Sequence, residues 1–287
     1  MNKLYIIVNM DKDPKLAVTD RIIEYLDRKG IDYFIKKTYP YSEDVNLRSV
    51  TKDEIPKDTD FIIILGGDGS FLHSAVALAE LNIPVAGLNL GTLGYLSQFN
   101  TDRFEQEFDE MLSGAYFIEE RIMIAGELVR EGRIIKQDIS LNDVVVRRCD
   151  GLSAIKLNIS LNGSKMRSSM SDGLIVATPT GSTAYNLSVG GAVIEPGARV
   201  MAITPIAPHS LSERSVIVAD DSDIEIELAS IPRNEAADIL IGFDSKFMTQ
   251  MKPGDVLKLR KADNSIKLIR LNEYNFFDVL HSKMNAD

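Results

Sequence analysis

The sequence predicts an α/β N-terminal domain with an open, mostly parallel sheet, followed by a β-rich C-terminal domain. Three observations carry this. Strand-like and helix-like patterns alternate up to about residue 100, as in parallel sheets wound by helices. The run Phe61 to Leu65 contains no polar residue, as a central strand covered on both faces requires. Beyond residue 115 the pattern changes to short alternating segments separated by turn residues, the mark of antiparallel strands.

In chain order, KLYIIVNM is the first strand, and its short apolar run is read as neither a secretory leader nor a membrane span. Leu16, Ile22, Ile23 and Leu26 are spaced for an amphipathic helix that Gly30 stops. IDYFIKK, FIIIL and IPVAGLN supply further strands, SFLHSAVALAELN a helix starting near Ser70, and FEQEFDEMLSGAY another. The alternating segments from MIAGELV to SIKLIRL then build the β-rich part. YNFFDVLHSKMNAD closes the sequence as a short helix whose Phe276, Phe277 and Leu280 dock on a neighbour. The expected division is 1–114 for the α/β domain, 115–270 for the β-rich domain and 271–287 for the helical segment.

The 287 residues carry a net charge of −10 with no concentrated Lys/Arg block, which argues against a nucleic acid partner. A small phosphorylated ligand stays open, because loop amides, a few basic side chains or a divalent cation offset its charge locally. Cys149, the single cysteine, forms no internal disulfide and no zinc site, which fits a reducing cytoplasm.

The GGDGS loop after FIIIL is the first candidate site. Gly66, Gly67 and Gly69 let the backbone approach a ligand, and amides at a strand-to-helix turn converge on an anion. The spelling is neither GxxxxGK[ST] nor GxGxxG, and no lysine lies nearby in sequence. Asp68 binds magnesium or a water in its shell, or accepts from a hydroxyl about to attack phosphorus; the alternative is a helix cap.

Four other stretches are candidates. In LNLGTLGYL, Asn89 and Tyr95 either contact a base and ribose or belong to an ordinary turn. In SLNDVVV, Asn142 and Asp143 suit a diol, or form a polar turn pair. The window from Ser169 to Val193 concentrates Asp172, Thr180, Thr183, Tyr185, Ser188 and glycines, where small residues let a planar ring approach the backbone. In TPIAPHSLSERSVI, His209 and Arg214 contact a phosphate or another part of a ligand, or stabilise an irregular loop. His73, on the predicted helix, fits packing or helix surface better than catalysis.

Taken in order, GGDGS, NLGTLGYL, LNDVVV, SDGLIVATPTGSTAYNLSVGG and TPIAPHSLSERSVI resemble the NAD kinase family. The resemblance runs from Asp68 to Arg214, and TPTGSTAY is its most specific part, since phosphofructokinases and lipid kinases carry spellings related to GGDG. It implies phosphoryl transfer from ATP or polyphosphate to the 2′-hydroxyl of the adenosine ribose of NAD, with magnesium or another divalent cation. By similarity Asp68 orients or activates that hydroxyl, contacting the metal if at all through water, and Gly69 belongs to the phosphate-contacting loop. Asn89, Tyr95, Asn142 and Asp143 enclose the dinucleotide, and Asp172, Thr180, Thr183, Ala184, Tyr185 and Ser188 contact its adenine or nicotinamide side. The resemblance further implies a homo-oligomer, dimer or tetramer, whose last helix packs on the first domain; charge, cysteine usage and the short apolar opening point to the cytoplasm, with no nucleic acid or membrane partner.

The sequence departs from the usual spelling at Ser70, where threonine is frequent, at Asp143, where glutamate is usual, and at Ser245, where glycine commonly follows Asp244. Two other readings of the residues stand beside the kinase: a sugar or lipid kinase using GGDG, and a dinucleotide-binding sensor that consumes no ATP.

Overall fold

The computed structural model describes residues 3–91, 93–149, 154–230, 238–244, 246–271 and 275–285. Ser245 therefore lies outside the described residues. The chain divides into two compact units, Met1–Arg121 with Asn264–Asp287, and Ile122–Asp263.

The first unit begins with β1 (Lys3–Asn9), α1 (Ala17–Lys29), β2 (Asp32–Thr38), β3 (Phe61–Gly66), α2 (Asp68–Ala79), β4 (Val85–Asn89), β5 (Ser97–Asn100), α3 (Phe104–Leu112) and β6 (Phe117–Arg121). β2, β1, β3 and β4 are neighbours in that order, all parallel, and β5 also runs parallel to β4. Every residue of β3 and β4 is buried, which is why these strands read as unbroken apolar runs. α1 covers the sheet with Ile22, Tyr25 and Leu26, and Gly30 ends it in the left-handed region at φ 65°. Tyr25, Phe104 and Phe108 meet edge to face with centroids 5.8 to 6.0 Å apart, locking α1 to α3.

The second unit is an antiparallel sandwich. Its strands are β7 (Ile124–Arg130), β8 (Arg133–Ser140), β9 (Asp143–Arg148), β10 (Ile155–Leu161), β11 (Ser164–Ser171), β12 (Gly173–Ala177), β13 (Val200–Ile206), β14 (Val216–Ala219), β15 (Ile224–Ser230), β16 (Ile239–Phe243), β17 (Lys246–Met251) and β18 (Val256–Lys261). One sheet runs β11-β10-β15-β18-β7-β8 and the other β14-β13-β12-β9-β16-β17. Inward residues of both, among them Leu128, Val144, Leu157, Val176, Ile203 and Leu257, form one core. On the outer face of the second sheet, Val145, Ile175 and Ala202 are covered by Ile194 of the segment that follows β12 and holds the short helix α4 (Tyr185–Ser188).

The chain then re-enters the first unit with β19 (Ile266–Arg270) and α5 (Phe276–Met284). β19 lies between β4 and β6, parallel to the first and antiparallel to the second. The boundaries at Arg121 and Asn264 differ from the expected 115 and 270. β19 ends the run of alternating segments, but its partners β4 and β6 belong to the first sheet, and pairing is invisible to periodicity. Phe276 of α5 packs on Tyr95 at 5.9 Å between centroids, within the first unit. Among the described residues no helix is long and apolar enough to cross a membrane.

Candidate active site

β1, β3 and β4 end side by side, and the loops beyond their carboxyl ends open into a cleft of about 280 Å³. Asn9 at the end of β1, Asp11 and Lys12 just after it, Gly66 to Ser70, His73 of α2, Asn89 to Gly91, Gly94 and Lys283 of α5 line it. Lysines absent from the glycine loop itself are thus supplied by the segment after β1 and by the far end of the chain.

α2 starts two residues earlier than the sequence suggested. Gly67 occupies the cap position in extended conformation and Asp68 is the first helical residue, so Asp68 does not cap its own helix. Its carboxylate is instead gripped across the cleft wall: Tyr95 N–H donates to Oδ2 at 2.8 Å, and Leu96 and Ser97 N–H donate to Oδ1 at 3.0 and 3.1 Å. An ionised carboxylate accepts about four hydrogen bonds, so Oδ2 keeps room for one more donor. Gly94 makes this possible, because a Cβ there would stand 2.1 Å from Asp68 Oδ1. Ser70 Oγ accepts from Asn9 Nδ2 at 2.7 Å, pinning the loop to the end of β1. Asn89 Oδ1 accepts from Gly91 N–H at 2.9 Å, shaping the next loop. Gly69 is exposed at the rim. The Tyr95 ring rests against Phe276 with Lys283 Nζ 5.5 Å from its centroid.

In the second unit, the turn before β9 is organised by Asp244, at φ 47° in the left-handed region. Its carboxylate accepts from Ser140 Oγ at 2.6 Å, Leu141 and Asn142 N–H at 2.7 Å each, and Asp143 N–H at 3.3 Å. Asn142 is half-buried and Asp143 is buried. Burial first, and then the Asp244 charge, push the Asp143 carboxyl up to about 7.

Thr180 is buried, Thr183 and Ala184 are half-buried, and Tyr185 and Ser188 are exposed along one short turn after β12. Two glycines of this window serve the protein's own packing. A Cβ on Gly181 would lie 2.0 Å from the Asn142 carbonyl, and one on Gly191 would lie 2.2 Å from Asn186 Oδ1. Gly181 therefore seats the turn on Asn142, and Thr178 N–H to Asn142 O at 2.8 Å fastens it. Buried Ser182 and Asn186 tie the same turn to Ile194, Ala192 and Thr204.

Asp172 is ion-paired with Arg148 at 2.8 Å. His209 is exposed and donates its backbone N–H to Met170 O at 2.9 Å. Arg214 turns back on its own loop, giving NH1 to the carbonyls of Leu211 and Glu213 at 2.6 and 2.7 Å. The structure thus brings Asp68, Gly69 and Asn89 to one cleft and Asn142, Asp143 and Thr180 to one turn, and leaves Arg214 engaged with backbone. Sequence reasoning missed Lys12, Lys283, Gly94, Asn9 and Arg148. Gly94 alone left a signal, as a second glycine in GTLG that an ordinary turn does not require.

A glycine-flanked carboxylate held by three amides, in a cleft with lysines at the ends of parallel strands, is an arrangement suited to phosphoryl transfer. The sequence profile of the ATP-NAD kinase N-terminal domain matches residues 4–116, and that of the ATP-NAD kinase C-terminal domain matches residues 141–271. The NAD kinase of Lachnoclostridium phytofermentans is 37 % identical over 99 % of each chain, and that of Symbiobacterium thermophilum is 32 % identical over 100 % of each. Yeast NADH kinase complexed with NADH superposes with a TM-score of 0.81 at 22 % identity, covering 100 % of this chain and 89 % of that one. An NAD kinase from Archaeoglobus fulgidus in complex with ATP gives 0.74 at 22 % identity over 99 % of each. At these identities the structural likeness speaks for the fold. The chain belongs to the NAD kinase family.

Proposed function

We infer that the chain is an NAD kinase, moving the terminal phosphoryl group of ATP to the 2′-hydroxyl of the adenosine ribose of NAD to form NADP. The observation that carries the residue assignment is the Asp68 carboxylate, fixed by three amides with an acceptor position left on Oδ2 in a cleft lined by Lys12 and Lys283. Asp68 takes the hydrogen bond of the acceptor hydroxyl and holds its oxygen in line with the phosphorus. Lys12, Lys283 and the amides around Gly69 hold the negative donor phosphates, so the acid faces the acceptor and the cations the donor. Asn142, Asp143 and the turn carrying Thr180, Thr183, Ala184, Tyr185 and Ser188 contact the dinucleotide.

Magnesium or another divalent cation fits this donor set as a passenger on the phosphates. Asp68, a carboxylate on the cleft, would contact it through water. When bound, the ion offsets charge on the oxygens of the transferred group. Family membership supports a homo-oligomer, dimer or tetramer, and the lone cysteine suits the cytoplasm; light scattering tests the first and cell fractionation the second.

The test is incubation of purified protein with magnesium, ATP and NAD, resolving products by chromatography. NADP and ADP are expected in equal amounts. Binding of NAD without ADP release would make the chain a sensor, and phosphorylation of a sugar or lipid alcohol in place of NAD would transfer the loop to another acceptor. Polyphosphate and NADH in the same assay define donor and acceptor range.

A further inference from the structure

β19 ends in Arg270, whose side chain is 1 % exposed. Its NH2 donates to Tyr95 O at 3.2 Å and to Glu119 Oε1 at 3.1 Å, and its NH1 donates to Leu96 O at 3.5 Å. The carbonyl of Tyr95 and the N–H of Leu96 belong to one peptide group, and the carbonyl of Leu96 and the N–H of Ser97 to the next. Those two N–H groups are the ones that donate to Asp68 Oδ1. In a trans peptide the C=O and N–H point opposite ways. A buried guanidinium therefore sits at the oxygen end of two peptide dipoles whose hydrogen ends hold the Asp68 carboxylate.

We propose that Arg270 is a positioning residue for the phosphoryl transfer, acting on Asp68 through the Tyr95–Leu96 and Leu96–Ser97 peptide groups. The physical grounds are two. Fixing both carbonyls fixes the direction of the N–H groups, and hence the place of Oδ1 and the orientation of Oδ2 toward the hydroxyl. A positive charge at the carbonyl end also polarises each peptide, strengthening its N–H as a donor in a site of low dielectric. Arg270 is itself held by Glu119, which Arg121 also contacts and whose half-buried carboxyl is pushed up by desolvation but held below its usual range by the charges of Arg270 and Arg121. The acid and the arginines are remote in sequence from GGDG, and the strand pairing of β19 with β6 brings Arg270 and Glu119 together.

The proposal rests on the reading of Asp68 as the residue that orients the acceptor hydroxyl, and the experiment separates the two. Arg270→Lys keeps a buried cation but offers one amine where the guanidinium forks to three acceptors. Steady-state kinetics are measured for wild type, Arg270→Lys, Asp68→Asn and the double variant, with thermal unfolding confirming that each is folded and Glu119→Gln as a gentler route to loosening Arg270. Arg270→Lys is expected to lower kcat about 10- to 100-fold while changing KM for NAD less than about two-fold, the size expected for misplacing a reacting group by a fraction of an ångström. On the Asp68→Asn background it is expected to lower kcat no further. Faster hydrogen exchange at the Leu96 and Ser97 amides is expected in Arg270→Lys and, to a lesser degree, in Glu119→Gln. Undiminished kcat in Arg270→Lys, an equal loss on both backgrounds, or unchanged exchange at those amides would overturn the role of Arg270. Full turnover in Asp68→Asn would instead overturn the reading of the loop.

Discussion

Asp68 and Asp244 are built alike and placed differently. Each carboxylate is seized by three consecutive backbone N–H groups of a distant segment, residues 95–97 for Asp68 and 141–143 for Asp244. Asp244 also takes the Ser140 hydroxyl and stands beside a second, buried acid, Asp143. Asp68 keeps an acceptor position and shares its cleft with Lys12 and Lys283. The comparison teaches that amide grip alone does not mark a catalytic carboxylate. Asp244 adds a hydroxyl neighbour and a second acid to the same grip, whereas Asp68 faces a cleft with two lysines.

Gly94 is the position where the two carboxylates differ most in what a substitution does. Gly94→Ala forces the carboxylate of Asp68 away from a Cβ 2.1 Å from Oδ1, and kcat is expected to fall about 100-fold with the fold intact, as read by steady-state NADP formation. Unchanged kcat would detach Asp68 placement from turnover. Asp244→Ala leaves the amides of 141–143 without their acceptor, and urea unfolding is expected to show a loss of about 3 kcal/mol. A loss no larger than a surface substitution gives would deny Asp244 its organising role. Lys12→Ala and Lys283→Ala are each expected to raise KM for ATP about 5- to 10-fold, an effect that shrinks with added salt. A rise confined to KM for NAD would reverse the assignment of donor and acceptor.

A pH-dependent effect concerns the second acid. The folded-state value of Asp143, about 7, lies above its ordinary 3.8, so the native state holds an extra proton between those values. Stability from this group is full below about 3.8 and is lost as pH rises through about 7. Asp143→Asn should remove that slope, so its Tm relative to wild type is expected to be higher at pH 8 than at pH 5. A difference that does not change with pH would show that Asp143 ionises as freely as an exposed acid.

Much of the first unit was legible because its strands are buried on both faces and its loops carry glycines where the backbone must turn. Asp68 stood out because an acid between glycines after an apolar strand has few purely local uses. What grips it was not legible, since Tyr95, Leu96 and Ser97 act through backbone atoms that any residue possesses. The lysines of the cleft lie 56 residues before Asp68 and 215 after it, and only the meeting of strand ends gathers them. Nothing in the local spelling of Arg270 and Arg121 announces their burial, which follows from the pairing of β19 with β6. In the second unit the density of small residues in TPTGSTAYNLSVGG was visible but the packing around them was not: Gly181 and Gly191 yield to Asn142 and Asn186, contacts that no spacing rule announces.

The central claim is that Asp68 acts on the acceptor hydroxyl during transfer and does not serve to bind NAD or hold the fold. Single-turnover formation of NADP from saturating NAD and ATP, compared between wild type and Asp68→Asn, removes binding from the measurement. The chemical step is expected to slow about 10²- to 10⁴-fold in the variant, the range typical of a positioned acid-base group. Equal single-turnover rates in a folded, NAD-saturated Asp68→Asn would contradict the account.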